Sequence, residues 1–408
     1  MVLANKRIVL GVSGSIAAYK GADLASKLVQ SGAIVDVIMT KAAMEFVTPL
    51  TFRAITHRPV VTDWYDSSSE LSIQHVQLAV EANLLLVAPA TADIIAKLAL
   101  GIADDPLCGT ALATQAPLVI APAMDAHMYN NPATAENVAK LKERGAVFVG
   151  PGHGRMASGL VGYGRLSETP EIIAAVRQVL GKHGDLAGKH VVVSAGPTEE
   201  PIDPVRVITN RSSGKMGFAI GEAARDRGAK VTIIAGPVSV PYPLGVEIVP
   251  VHTALEMRDA VLTSIRTCDV LIMTAAVADY RPVTAVERKI KKEDMSSLTI
   301  ELTKNPDIIS EAKGDFVKVG FAAETEDLLR NAQTKLQQKD MDLIVANDVT
   351  APNSGFNVDT NKVTILERSG EMLDLPLMTK EEVAHKLLDR VAMLLTHRAK
   401  RPAKATAL

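Results

Sequence analysis

Short unbroken runs of aliphatic and β-branched residues recur along the chain. The first half holds "IVLGV", "VDVIMT", "LLLVAP" and "LVIAPA"; the second holds "VVVSAG", "VTIIAG", "VLIMTAA" and "LIVAND". Runs of this length without polar alternation are the pattern of strands buried on both faces, as in a parallel sheet. Between them lie stretches with helical spacing of apolar residues, such as "EIIAAVRQVL". Two longer segments share one layout: "KRIVLGVSGSIAAYKGADLASKLVQSGAIVDVIMT" and "KHVVVSAGPTEEPIDPVRVITNRSSGKMGFAIGEAARDRGAKVTIIAG". Each has a buried-strand run, a Gly/Ser loop, a helix-period stretch, a Gly-Ala turn and a second strand. This β-α-β unit, met twice, predicts an α/β chain of two doubly wound, mostly parallel-sheet, Rossmann-like domains in tandem. The boundary is placed in "GKHGDLAGK", giving domains 1–184 and 185–408.

Composition narrows the picture. At 408 residues the chain is too long for one core and fits about two domains. A net charge of −2 gives no general attraction to nucleic acid or membrane, and 3% aromatic residues argue against base stacking on rings. The most apolar segment, "NLLLVAPATADIIAKLALG", is interrupted by Pro89, Asp93 and Lys97, so no transmembrane span is expected. The opening "MVLANKRIVLGVSG" reads as a strand, since glycines follow its short apolar run at once. Cys108 and Cys268 are the only cysteines; there is no disulfide framework and no C-x-x-C metal site, and a cytoplasmic location is expected. The basic tail "THRAKRPAKATAL" is expected to fray.

In doubly wound sheets the chemistry sits on loops beyond the carboxyl ends of strands. "VSGSIAAYK" follows the first strand and opens a helix; its backbone N–H groups and the Ser13 and Ser15 hydroxyls suit a phosphate. "APATADIIAKLALGIADD" carries small residues and Thr91 at a strand end, where a flat ring can approach the backbone. "RVITNRSSGKMG" contains Ser-Gly-Lys but lacks the first glycine of a Walker A loop, leaving an anion site at a helix N-terminus. Neither half shows G-x-G-x-x-G after its first strand, which disfavours a nicotinamide oxidoreductase. "GPGHGRMASGLVGYGR", with six glycines in sixteen residues, ends before the first domain does. It reads as a glycine-hinged flap over the first site and not as a linker.

Taken together, "GVSGSIAAYK", "APATADIIAKLALGIADD" and "APAMDAHMYNNPAT" resemble the flavin-binding cysteine decarboxylases. Followed by "AGPTEEPIDPVRVITNRSSGKMG", "AAVADY", "KIKK", "KNPDI" and "GFAAET", they resemble the bifunctional bacterial phosphopantothenoylcysteine decarboxylase and phosphopantothenate–cysteine ligase family, across essentially the whole chain in order. The resemblance implies two steps of coenzyme A synthesis: CTP-dependent ligation of 4′-phosphopantothenate to cysteine through an acyl-cytidylate, then FMN-dependent decarboxylation. It implies that FMN meets Ser13, Gly14, Ser15, Thr40, Pro89, Ala90, Thr91 and Met124, with His75 as catalytic base. Imidazole suits that task because it exchanges protons near neutrality. The flavin is needed because a plain cysteinyl carboxylate has no electron sink; oxidising the thiol to a thioaldehyde creates one. In the second half the resemblance implies a nucleotide pocket from Ala275, Asp279, Lys289, Asn305, Pro306, Asp307, Ile308, Phe321, Lys335 and Lys339, with Arg206 and Lys215 nearby. Asn210 would support acyl-cytidylate formation, Lys289 would face the phosphates, and Asp279 would contact the cytidine portion or Mg2+. Trimeric flavin halves and dimeric ligase halves, combined into a dodecamer, are also implied.

Two positions depart from the family. Asp125 stands where an Asn binds the substrate carboxylate, and Ser158 where a flap Cys supplies the last proton. An ionised Asp125 would repel that carboxylate unless it is protonated, turned away or compensated by Arg155 or Arg165. A serine hydroxyl is a far weaker acid than a thiol. The substitute acid is then a neutral Asp125, a water or Cys108, or the half reduces its intermediate poorly. On the alternative reading the first half is a non-catalytic FMN-binding oligomerisation module serving a CTP ligase.

Overall fold

The computed structural model describes residues 2–64, 74–291, 297–324, 328–348, 355 and 358–399; of the tail expected to fray, residues 396–399 are the end of a helix and residues 400–408 lie outside the described set. The chain divides into two compact units, Met1–Gly181 and Lys182–Leu408.

In the first unit the elements run β1 (Arg7–Val12), α1 (Ala18–Gln30), β2 (Ile34–Met39), α2 (Lys41–Met44), α3 (Pro49–Thr56), β3 (Val60–Val61), α4 (Gln74–Glu81), β4 (Leu84–Ala90), α5 (Ala92–Leu100), α6 (Pro106–Ala113), β5 (Leu118–Pro122), α7 (Ala126–Tyr129), α8 (Pro132–Glu143), β6 (Val147–Phe148), β7 (Gly152–Arg155), β8 (Val161–Arg165) and α9 (Thr169–Gly181). Six strands form a wholly parallel sheet in the order β3-β2-β1-β4-β5-β6. Two apolar clusters, one on each face, bury it: Leu10, Leu24 and Phe52 on one side, Val9, Ile94 and Leu107 on the other. Every residue of β4 is buried, which explains why "LLLVAPA" shows no alternation. The strand order reverses between β1 and β4, so the crevice for a ligand opens beyond their carboxyl ends.

The glycine-rich stretch folds as the antiparallel hairpin β7–β8, with His153 and Tyr163 ring to ring at 5.0 Å. Its glycines do more than hinge. A Cβ on Gly164 would lie 2.3 Å from the Met124 carbonyl oxygen, and one on Gly162 would lie 3.1 Å from the Ala126 Cβ. Those two seat the hairpin against the segment after β5. Gly159, at φ +89°, makes the turn at the tip.

In the second unit the elements run β9 (His190–Ala195), β10 (Glu199–Pro201), β11 (Val207–Thr209), α10 (Lys215–Arg225), β12 (Lys230–Ala235), β13 (Glu247–Pro250), α11 (Ala254–Ser264), β14 (Val270–Met273), β15 (Tyr280–Pro282), β16 (Leu302–Lys304), α12 (Ile308–Glu311), β17 (Val317–Glu324), α13 (Leu328–Gln338), β18 (Leu343–Asp348), β19 (Thr360–Glu367), β20 (Met372–Thr379) and α14 (Lys380–Ala399). The sheet order is β13-β12-β9-β14-β17-β18-β19-β20. Pairing is parallel up to β18 and antiparallel for β19 and β20. That last hairpin has no unbroken apolar run: β20 reads "MLDLPLMT" and is mostly half-buried or exposed. Two short ribbons, β10–β11 and β15–β16, stand beside the carboxyl ends of β9 and β14.

Candidate active sites

In the first unit two cavities adjoin at the β1–β4 crevice. One, of about 520 Å³, is lined by Ser13, Gly14, Thr40, Trp64 and Thr91; the other, of about 560 Å³, by Gly14, Ser15, Thr91, Met124, Asp125 and Ser158. They share Gly14, Thr91 and Met128. Thr40 and Thr91 are the N-caps of α2 and α5, each accepting a backbone N–H three residues on, which turns both helix starts toward the cavities. The floor is made of small residues and the rim of helix N-termini, a set that fits a flat ring bearing a phosphate.

Individual residues sit differently from expectation. The Ser13 hydroxyl is fully buried; it donates to the Pro89 carbonyl at 2.8 Å and accepts the Thr91 N–H at 3.0 Å. It therefore ties β1 to β4 and does not turn to a phosphate. Pro89 and Ala90 are buried behind the cavities, within β4. His75, the second residue of α4, lines neither cavity. Its ring packs edge to face on Trp64, with centroids 4.6 Å apart. Trp64, the single tryptophan, sits in no motif of the sequence; its rarity is the one signal that marks it.

The two departures from the family touch each other. Asp125 caps α7, accepting the His127 N–H at 3.0 Å, and the Ser158 hydroxyl at the flap tip donates to its other oxygen at 2.6 Å. The Ser158 and His127 hydrogen bonds hold the Asp125 carboxyl below its ordinary range, so it is ionised. This corrects the expectation of a neutral Asp125 as acid. Cys108 is also overturned in that role: burial, then the Asp105 carboxylate, push its thiol up to about 12, and it lines neither cavity. Arg155 and Arg165 do line the second cavity, the latter 3.5 Å from Glu168. Among the described residues the one cluster with metal-ligand spacing is Asp104, Asp105 and Cys108. The Lys97 ammonium already lies 3.2 Å from Asp104 and 3.9 Å from Asp105 and offsets their charge.

In the second unit a cavity of about 600 Å³ opens beyond β14 and β17. Asn210, Ala275, Asp279, Asn305, Pro306, Asp307, Ile308, Phe321, Lys335 and Lys339 all line it. Residues from α12, β17, α13 and the loops between elements thus converge on one space. The Asn305 amide has a defined orientation: its Nδ2 donates to the Ala278 carbonyl at 2.8 Å and its Oδ1 accepts from Arg281 at 2.9 Å. Asn210 donates to the Ala276 and Val277 carbonyls at 3.1 and 3.2 Å, pinning the end of β11 over the loop after β14. Burial raises the Asp307 carboxyl, but the Lys339 ammonium at 2.9 Å and Ser310 more than offset this and hold it below its ordinary value.

Three expected residues lie elsewhere. The Arg206 guanidinium is held by Asp203 at 2.9 Å and by the Ile290 carbonyl, bracing the chain before the residues outside the described set. Lys289 is exposed and does not line the cavity; its neighbour Lys292 lies outside the described residues. Lys215 opens α10 and lines an adjoining cavity of about 180 Å³, its ammonium 2.7 Å from Asp359. That smaller space shares Ala275, Ala276, Phe321 and Ala322 with the larger one. Lys380 and Asn361 also line it; a lysine opening a helix gives no sequence signal of burial.

Fold and cavities define a protein of two α/β units, each with cavities beyond the carboxyl ends of its parallel strands. Residues 2–181 match the Flavoprotein family, and residues 186–395 match the DNA/pantothenate metabolism flavoprotein C-terminal domain. The coenzyme A biosynthesis bifunctional protein CoaBC of Bacillus subtilis (strain 168) is 48% identical over 399 residues, covering 96% of this chain and 98% of that protein. The protein of the same description from Escherichia coli (strain K12) is 44% identical over 398 residues, covering 96% and 98%. A crystal structure of a CoaBC C-terminal domain is 41% identical, covering 52% of this chain and 99% of that one, with a TM-score of 0.46. The chain belongs to the CoaBC family of bifunctional coenzyme A biosynthesis proteins. It is a bifunctional enzyme, phosphopantothenoylcysteine decarboxylase and phosphopantothenate–cysteine ligase, and its first half is a flavoprotein. Among the described residues no helix is long and apolar enough to cross a membrane.

Proposed function

We propose that the ligase half uses CTP with Mg2+, and that the cavity beyond β14 and β17 is where it acts. The convergence of Asp279, Asn305, Asp307, Lys335 and Lys339 on that cavity carries this reading. A carboxylate oxygen of 4′-phosphopantothenate attacks the α-phosphorus, pyrophosphate leaves, and the cysteine amine then displaces CMP to form the amide. The lysines offset charge that builds on the phosphates. Arg206 and Lys289 lie outside this cavity in their own chain; of the four cationic residues that line it, Arg211, Lys304, Lys335 and Lys339, the last two are assigned to the phosphates. Asp279 is the carboxylate that would help hold the metal, whose charge would offset that of the triphosphate.

In the first half Gly14, Ser15, Thr40, Thr91 and Met124 are proposed to hold FMN, with Ser13, Pro89 and Ala90 shaping the crevice from behind. Bound there, FMN supplies the two-electron oxidation that makes the substrate carbon an electron sink. Ser158 Oγ has its proton on Asp125, so it presents lone pairs to the cavity. A water donating to Ser158 Oγ is then the proposed source of the final proton. His75 stands off the cavities of its own chain, which supports a base delivered by a neighbouring copy in a homo-oligomer built of trimers and dimers. We place the protein in the cytoplasm.

Coupled turnover tests both halves: 4′-phosphopantothenate, cysteine and CTP should yield first the amide and then its decarboxylated product, resolved by mass. In a second reading, the Ser158 proton committed to Asp125 and the weak Cys108 acid leave a flavin half that binds FMN without turnover. Amide accumulation with no CO₂ release would establish that reading. If the half turns over, Asp125→Asn will lower the KM for phosphopantothenoylcysteine, by roughly threefold to tenfold, since an ionised group facing the substrate carboxylate becomes a neutral amide. Steady-state kinetics on the variant check this, and a raised KM would show that Asp125 has no repulsive role.

A further inference from the structure

The Lys380 side chain opens α14 yet is buried at 6% exposure. Its ammonium is surrounded by four oxygens: the Gly355 carbonyl at 3.1 Å, the Thr360 carbonyl at 3.2 Å, the Asn361 Oδ1 at 3.1 Å and the Val358 carbonyl, closer still. Three main-chain carbonyls and one amide oxygen around a single positive charge is the donor set that binds a dehydrated monovalent metal ion. An ammonium has three N–H donors and no acceptor, so all its polar capacity goes to this cage.

The cage has consequences for the ligase site. It gathers Gly355, Val358, Thr360 and Asn361 into one loop, and that loop grips the first turn of α10. Asp359 pairs with Lys215 at 2.7 Å, and the Asn361 amide lies 3.5 Å from the Met216 sulfur. The α10 start borders the small cavity, which shares Ala275 and Phe321 as walls with the larger one. Without a cation in the cage, four oxygens would face each other unshielded and the loop could not keep its grip.

We propose that Lys380 is a built-in substitute for a potassium ion, a positioning residue that holds Gly355 and Val358 to Asn361 against α10 and thereby sets nucleotide affinity in the ligase half. The inference rests on the reading that this half takes CTP. Burial first, then the neighbouring Lys215, push the Lys380 amine down to about 8, with Asp359 opposing them.

The test is the full-length Lys380→Ala variant assayed in choline, sodium and potassium chloride. Alanine empties the space that the ammonium fills. In choline or sodium chloride the KM for CTP is expected to rise at least tenfold with kcat largely kept; potassium chloride should return it to within about threefold of wild type. Wild type should be indifferent to the salt. Lys380→Met, whose side chain fills the same space without a charge, should be impaired in every salt. A normal KM in choline, or an impairment that potassium leaves untouched in Lys380→Ala, would overturn the proposal. Should Lys380→Ala fail to fold, Asn361→Ala decides: a KM for CTP raised severalfold supports the cage, and an unchanged one sinks it. Wild type lacking any CTP-dependent turnover would instead remove the underlying nucleotide reading, and this inference with it.

Discussion

Gly14→Ala is expected to purify without flavin and to release no CO₂. The residue belongs to both cavities of the first unit. A Cβ there would lie 2.4 Å from the Ala42 Cβ and 3.0 Å from the Ala42 carbonyl carbon. Neither neighbour is the tip of a flexible side chain, so relief requires moving the start of α2, whose Thr40 cap rims the first cavity, or the loop after β1. A misplacement near 1 Å costs on the order of a hundredfold in activity, and cofactor retention depends on the same walls. The visible flavin absorbance per chain of the purified variant reports the outcome. Stoichiometric flavin would show that this close approach is dispensable. The rest of the fold should persist, because Gly14 lies outside the buried apolar clusters, and ligase turnover serves as the internal control.

Lys339→Gln is expected to raise the KM for CTP by roughly tenfold to a hundredfold, with a smaller effect on kcat. Two effects act in the same direction. The variant loses a cation at the mouth of the cavity, and it leaves Asp307, held ionised by that cation, facing the triphosphate without its partner. Uncompensated charges of like sign at a partly buried site cost considerably more than an exposed ion pair gains. The double variant Asp307→Asn with Lys339→Gln should recover part of the loss, because the stranded carboxylate is gone. Ligase kinetics at varied CTP measure both. A double variant no better than the single one would mean that Asp307 is not facing the nucleotide.

The runs "LLLVAPA" and "HVVVSA" read as buried strands because both faces of β4 and β9 are covered by helices, so nothing polar is tolerated at either parity. The loops after those strands likewise read as ligand loops, since small and hydroxyl residues just past a strand have few other reasons to recur. β19 and β20 were not legible: they close the sheet antiparallel, with one face partly exposed, and their mixed pattern resembles many solvated segments. The roles within the sites divide in the same way. Residue type points to the cavity for Thr91, Asp279 or Lys339, whose chemistry is local.

Whether a side chain faces a ligand or its own backbone depends on partners far along the chain. The Ser13 hydroxyl reaches a strand end 76 residues away, Ser158 finds an aspartate 33 residues back, and Lys380 closes on carbonyls about 20 residues upstream. Apolar periodicity specifies which face of an element is buried, because burial is an average over many weak and nondirectional contacts. Hydrogen bonds and ion pairs require particular atoms within about 3 Å at particular angles. Local pattern does not encode that geometry; the packed sheet and its helices supply it. Two α/β domains, with their ligand loops at the carboxyl ends of the strands, therefore follow from the order of residues. The ionised Asp125, the inward Ser13 and the caged Lys380 follow from how distant segments meet.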